Sequence, residues 1–140
     1  MYMATASDKC KVFSIEGCLQ IASLAEKNIQ NLGLSNAEII TGSFNEILPS
    51  ILPKIQQNLL VFIDGDHDGD HLIAYFDAIL PFTNEHSVFI LDDIRWSGSM
   101  EKAWRNLISR EEVSVSIDLY RMGIIFLKKN IYKQHYKIRF

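Results

Sequence analysis

The stretch Leu59-Leu60-Val61-Phe62-Ile63-Asp64-Gly65-Asp66-His67 carries an unbroken apolar run into clustered carboxylates. Val88-Phe89-Ile90-Leu91-Asp92-Asp93 repeats the pattern. Short apolar runs without alternation read as strands buried on both faces of a parallel sheet. In such sheets ligands sit in the crevice beyond the carboxyl ends of the strands. Asp64, Asp92 and Asp93 are therefore expected at one edge, where gathered carboxylates are costly unless a cation or a proton compensates them. The pattern predicts a site there.

Outward from this centre, strands and helices alternate without a repeat, a low-complexity segment or an internal linker. Lys11 to Glu16 reads as a first strand. A helix follows with Ile21, Leu24, Ala25, Ile29 and Leu32 on one face and Gly33 as its stop. Ala37 to Thr41 is a second strand. Ser43 and Glu46 have the spacing of a capping box, and Phe44, Ile47, Leu48, Ile51, Leu52 and Ile55 keep helical phase, with Pro49 and Pro53 expected to kink or shorten that helix.

Beyond Asp64, a polar loop with Asp70 as expected N-cap leads to a helix carrying Leu72, Ile73, Phe76, Ile79 and Leu80. After Asp92, Ser99 is expected to start a helix that turns Met100, Ala103, Trp104, Leu107 and Ile108 inward. Val113, Val115, Ile117 and Leu119 then alternate with Ser114, Ser116 and Asp118, a half-exposed strand pattern. Tyr120-Arg121 separates it from Met122 to Leu127, predicting an antiparallel pair. The expected architecture is an α/β layered sandwich, mostly parallel, closed by a C-terminal hairpin.

The chain has 140 residues, 48% hydrophobic and 22% charged, with a net charge of −3. A single domain over residues 1–140 is expected, and the net charge gives no general reason to expect nucleic-acid binding. Lys128, Lys129, Lys133, Lys137 and Arg139 make the C-terminus basic, which reads as a solvated tail. No apolar run approaches a membrane span and no signal peptide opens the chain. Cys10 and Cys18 form neither a metal spacing nor a disulfide framework, so a cytoplasmic location is the default expectation.

Glu16, at the end of its strand, has the chemistry to accept both hydroxyls of a ribose. Asp64, Asp92 and Asp93 with water would make a hard oxygen site for Mg²⁺ or Mn²⁺, able to lower a hydroxyl pKa and hold the alkoxide. His67 or His71 could then serve as general base, against the plainer account of each as part of a solvated acidic loop. His67 is the candidate carried forward. The loop from Asp64 to Asp70 imitates the start of a calcium loop, but Tyr75 stands where the closing bidentate acid belongs. Ser43 could reach an adenine edge, although capping explains it without a ligand. Trp96 could lid a small-molecule pocket or pack under the loop. No nucleophile elbow, phosphate-cradling loop or Cys/His metal pattern is present.

Val12-Phe13-Ser14-Ile15-Glu16-Gly17, Thr41-Gly42-Ser43-Phe44, Val61-Phe62-Ile63-Asp64-Gly65-Asp66-His67 and Ile90-Leu91-Asp92-Asp93, in that order, resemble class I S-adenosylmethionine-dependent methyltransferases. Among these the chain is most similar to small-molecule O-methyltransferase-like proteins. The resemblance implies a Rossmann-like three-layer sandwich with strand order 3-2-1-4-5-7-6. It places Glu16 and Gly17 at the cofactor ribose, Ser43 and Phe44 near the adenine, and Asp64 at both the cofactor and the reacting centre. In the metal-dependent branch, Asp64, Asp92 and Asp93 match the ligand positions, with Asp93 where an Asn is usual. The lysine used there for catalysis has no counterpart among Asp66, His67 and Asp68.

The family's first strand and glycine-rich loop should precede Glu16, yet only Met1 to Lys9 stand before the first strand read here. The expectation is an N-terminally truncated domain, a fragment with its central strand missing. Methylation of a small hydroxylated acceptor is the functional expectation, needing proximity and a deprotonated oxygen. The competing reading is a non-catalytic remnant acting as a binding or homo-oligomerisation module. A metal-dependent hydrolase using the Asp/His loop is weaker, since only half of such a site is visible.

Overall fold

A computed structural model describes residues 1–55 and 58–139. In chain order the elements are α1 (Tyr2–Ala6), β1 (Val12–Glu16), α2 (Leu19–Asn31), β2 (Ala37–Thr41), α3 (Phe44–Ile51), β3 (Leu60–Ile63), α4 (Gly69–Ile79), β4 (Val88–Leu91), α5 (Gly98–Ser109), β5 (Val115–Asp118), β6 (Gly123–Phe126) and β7 (Gln134–Lys137). Contacts divide the chain into two compact units, Met1–Ile51 and Leu52–Phe140.

In the first unit β1 and β2 pair in parallel, and α2 packs on both. Gly33, at φ 65, ends α2. The N–H of Leu34 returns to the Ile29 carbonyl and that of Gly33 to Gln30, the Schellman arrangement that satisfies carbonyls at a helix end. The inward face differs from expectation. Ala22 and Ile29 are buried, whereas Ile21, Leu24 and Leu32 are exposed. Residues 22 and 29 are seven apart and so form one stripe two turns long; the small Ala22 sets the face that meets the sheet. Pro49 lies inside α3, and a 3₁₀ turn over Leu52–Lys54 follows, in keeping with helix shortening by the two prolines.

The second unit is a five-stranded sheet in the order β3-β4-β6-β5-β7. β3 and β4 are parallel, β6 is antiparallel to β4 and β5, and β7 is parallel to β5. β3, β4, β5 and β7 therefore end at the same edge. With its central strand taken out, the order implied by the resemblance becomes the two sets of pairings found, with β7 added. The core of this unit holds Phe76, Phe89, Leu91, Ile94, Trp104, Leu107 and Ile125. Phe76 and Phe89 meet at 4.5 Å between ring centroids, within the range favoured by tilted aromatic pairs. A Cβ on Gly69 would stand 2.3 Å from the Ser99 carbonyl oxygen, so the missing side chain is what lets α4 and α5 meet at their first turns.

Four local expectations are corrected here. Asp68, not Asp70, caps α4, accepting the N–H groups of Asp70 and His71. Ser97, not Ser99, caps α5 through the Met100 N–H. In β5 and just before it the polar alternates Ser114, Ser116 and Asp118 are buried, while Val115 and Ile117 are only half-buried. Each has a partner: the Ser114 hydroxyl donates to the Phe126 carbonyl, Ser116 meets His135 Nδ1, and Asp118 holds Arg95. Satisfied polar groups of this kind can occupy a core face. The basic C-terminal stretch, expected as a tail, supplies strand β7. Among the described residues no helix is long and apolar enough to cross a membrane.

Candidate functional site

In the first unit the register runs from Val12↔Ala37 to Glu16↔Thr41. Glu16, Gly17, Ser43 and Phe44 therefore gather where β1 and β2 end. The Gly42 N–H donates to the Glu16 carbonyl at 3.1 Å, tying the strand ends together. Gly42 is at φ 153, and a Cβ there would lie 2.8 Å from the Ile47 side chain, so this crossing needs glycine. Glu16 is half-buried, and its Oε1 accepts the Cys18 N–H at 2.8 Å. Its other oxygen has no hydrogen-bond partner among the described residues. A carboxylate anchored through one oxygen, with the other open, has the chemistry a ribose diol requires. The Ser43 hydroxyl donates to Glu46 Oε2 at 2.8 Å; Ser43 and Glu46 thus meet as their spacing predicts, although here the hydroxyl is the donor.

In the second unit Ile63 and Leu91 are register partners, so Asp64 and Asp92 follow adjacent parallel strands at one edge. The Asp92 N–H donates to the Ile63 carbonyl at 2.9 Å. Asp64 is exposed, with Asp92 and Asp93 half-buried. Asp93 takes Arg121 Nη2 at 3.1 Å, and Asp92 Oδ1 accepts the Asp93 N–H at 2.8 Å. Among the described residues no group of three or more His, Cys, Asp or Glu side chains is placed to hold a metal ion. Asp64, Asp92 and Asp93 share the edge, with Asp93 paired to the exposed Arg121.

The loop after β3 carries more organisation than its composition suggests. Asp66 and His67 have φ 69 and 45, and Asp93 and Tyr120 have φ 48 and 74. Left-handed backbone at residues other than glycine costs on the order of 1–3 kcal/mol and collects at functional edges. The His67 ring stacks on Trp96, centroids 5.1 Å apart and planes at 30°, which joins the two loops beyond β3 and β4. Asp66 Oδ2 lies 2.6 Å from His71 Nδ1 and accepts the Tyr75 hydroxyl at 3.3 Å. Burial, reinforced by Asp66, raises the Tyr75 pKa above its ordinary value. The Asp68 carboxyl is held below its ordinary value, first by the His71 N–H that it caps.

The Asp66–His71–Tyr75 cluster escaped sequence reasoning. Its only trace was the four-residue spacing of His71 and Tyr75, which places them on one helix face. Arg95 and Asp118 also escaped. They are far apart in sequence, and Asp118 sits in a strand whose alternation suggests that it faces water. Arg95 reaches Asp118 through two bonds of 2.8 and 2.6 Å. Burial pushes the Asp118 carboxyl up, but bonds from Arg95, the Tyr120 N–H and Arg139 outweigh this and hold it well below the carboxylate range.

A family model described as a methyltransferase domain matches residues 1–94. The chain belongs to that family. No curated protein matches it significantly. Solved structures share its fold at low identity. The O-methyltransferase from Bacillus cereus in complex with S-adenosylhomocysteine superposes with a TM-score of 0.67 at 19% identity, over 83% of this chain and 62% of that one. For the O-methyltransferase TomG from Streptomyces achromogenes, in complex with S-adenosylmethionine, the values are 0.76 and 19%, over 91% and 66%. The S-adenosylhomocysteine-bound methyltransferase from Podospora anserina gives 0.72 and 13%, over 91% and 65%. The chain thus spans just under two thirds of the length of these proteins. The fold is the α/β Rossmann-like methyltransferase fold with a mixed sheet.

Proposed function

We propose that this chain is the S-adenosylmethionine-binding domain of an O-methyltransferase that acts on a small hydroxylated acceptor. The observation that carries the reading is Glu16, fixed by the Cys18 N–H at the end of β1, in a chain of the methyltransferase-domain family. Within the first unit, Glu16 and Gly17 would receive the ribose and Ser43 and Phe44 the adenine. When bound, the cofactor would supply an electrophilic sulfonium methyl group, the acceptor oxygen bonding to its carbon while the carbon–sulfur electron pair returns to sulfur.

This chain's part is to orient the acceptor and take its proton. His67 is the proposed base. Its ring stacks on Trp96, and a positioned imidazole suits proton transfer. Asp64, exposed three residues earlier at the end of β3, would offer a carboxylate to stabilise the imidazolium that forms. A metal-assisted version of the reaction would require Asp93 to leave Arg121, and no step here depends on it.

The test is transfer of labelled methyl from S-adenosylmethionine to a panel of small phenols and catechols. His67→Ala should lower kcat by about 10²–10⁴-fold, the usual contribution of general-base catalysis, and a chelator should leave turnover unchanged. Full activity in His67→Ala would remove His67 from the mechanism, and loss of activity in chelator would restore the cation. No transfer to any acceptor, with cofactor binding intact, would favour the non-catalytic binding module.

A further inference from the structure

A small cleft of about 70 Å³ opens between α5 and the outer strands β5 and β7, with Trp104 in its lining. It gathers Arg95, Arg105, His135 and Lys137 with two carboxylates, Glu101 and the buried Asp118. Asp118 alone is claimed by two guanidinium groups, Arg95 at 2.6 Å and Arg139 at 3.3 Å. Glu101 pairs with Arg105 at 2.6 Å, a contact within one exposed helix face. The Lys137 ammonium has no ion-pair or hydrogen-bond partner among the described residues, although its backbone lies in the β5–β7 ladder. Cations therefore outnumber carboxylates in a confined space.

The donor inventory points the same way. A guanidinium offers five N–H donors and an ammonium three. Arg95 uses donors on Asp118 and the Tyr120 carbonyl, and Arg105 donates to Glu101 through Nη2. His135 is held through Nδ1 by Ser116, leaving its Nε2 as a further polar atom at the cleft. Asp118 is tied up by Arg95, Arg139 and the Tyr120 N–H, so it repels an incoming anion little while fixing the arginine that would receive one. Preorganised guanidinium groups suit tetrahedral oxyanions, which they bind with paired N–H donors.

We infer that this cleft is an anion site that takes a phosphate group, either free or as a monoester. Arg95 is the fixed donor, positioned by Asp118, with Lys137 and Arg105 closing on the ligand from β7 and α5. The inference does not rest on the methyl-transfer reading.

The test is a two-dimensional NMR titration with inorganic phosphate and, separately, glycerol phosphate, at constant ionic strength. Saturable shifts should concentrate at Arg95, Arg105, His135 and Lys137. Lys137→Gln and Arg105→Gln should each weaken binding by about tenfold or more, with the thermal unfolding midpoint unchanged, whereas Lys128→Gln, outside the cleft, should not. Tighter binding of the ester than of phosphate would identify the group as part of a larger ligand; equal binding would identify free phosphate. Shifts that rise linearly, spread over Lys128, Lys129 and Lys133, or persist in Lys137→Gln would mean an adventitious ion only and overturn the inference.

Discussion

At the residue scale, Asp118 shows how a charged group can serve as core. It is fully buried, accepts two bonds from Arg95 and one from the Tyr120 N–H, and so is satisfied on both oxygens. Removing one partner of a buried pair leaves the other charge uncompensated. Asp118→Asn should cost about 3 kcal/mol, the low end for such a pair, because Arg95 and Arg139 keep access to water. The folded carboxyl lies below its ordinary value. Its contribution is therefore complete above the unfolded pKa near 4 and is lost as pH falls below that value toward the folded one. Urea unfolding midpoints measured from pH 7 down to pH 2 should show this loss in the wild type and a flatter acid limb in Asp118→Asn. A residue pattern could not reveal the pairing: alternation says which side chains share a face, and the partner that makes a polar face burial-worthy lies on another element.

At the element scale, the meeting of α4 and α5 makes its own prediction. Gly69 and Gly98 both open helices, yet a Cβ on Gly69 would strike the Ser99 backbone, while one on Gly98 would meet nothing within 4 Å. Gly69→Ala should cost about 3 kcal/mol, the upper end for overpacking, since a backbone carbonyl cannot swing aside. Gly98→Ala should lie within about 0.5 kcal/mol of the wild type. Ser97→Ala should cost about 1 kcal/mol by releasing the Met100 N–H. Chemical denaturation of the three variants checks this order. Most elements were legible because their apolar spacing matches the period of the structure they adopt: Leu72, Phe76 and Ile79 recur at helical intervals, and Leu60 to Ile63 run unbroken. β7 was not, because Gln134, His135, Tyr136 and Lys137 are all exposed and nothing in their order distinguishes an edge strand from a tail. Caps slipped by two residues for a related reason. Ser97 and Ser99, like Asp68 and Asp70, are equally good capping residues, and only backbone angles decide between them.

At the scale of the whole molecule, strand order carries the account. The pairing β3-β4-β6-β5, with β6 alone reversed, puts the ends of β3, β4 and β5 on one edge, and β1 with β2 does the same for Glu16 and Ser43 within their own unit. That much of the candidate site was readable, because a carboxylate directly after an apolar strand must emerge at the strand's carboxyl end. The commitment of Asp93 to Arg121 was not, since it depends on a hairpin bringing residue 121 back beside residue 93. The central claim is that Glu16 makes this chain a binder of the methyl donor. Calorimetric titration of S-adenosylhomocysteine into the wild type and Glu16→Ala tests it most directly. Saturable binding is expected for the wild type, weakened at least tenfold in Glu16→Ala with its unfolding midpoint unchanged; equal affinity in both, or no binding by the wild type, would rule out Glu16 as the ribose acceptor.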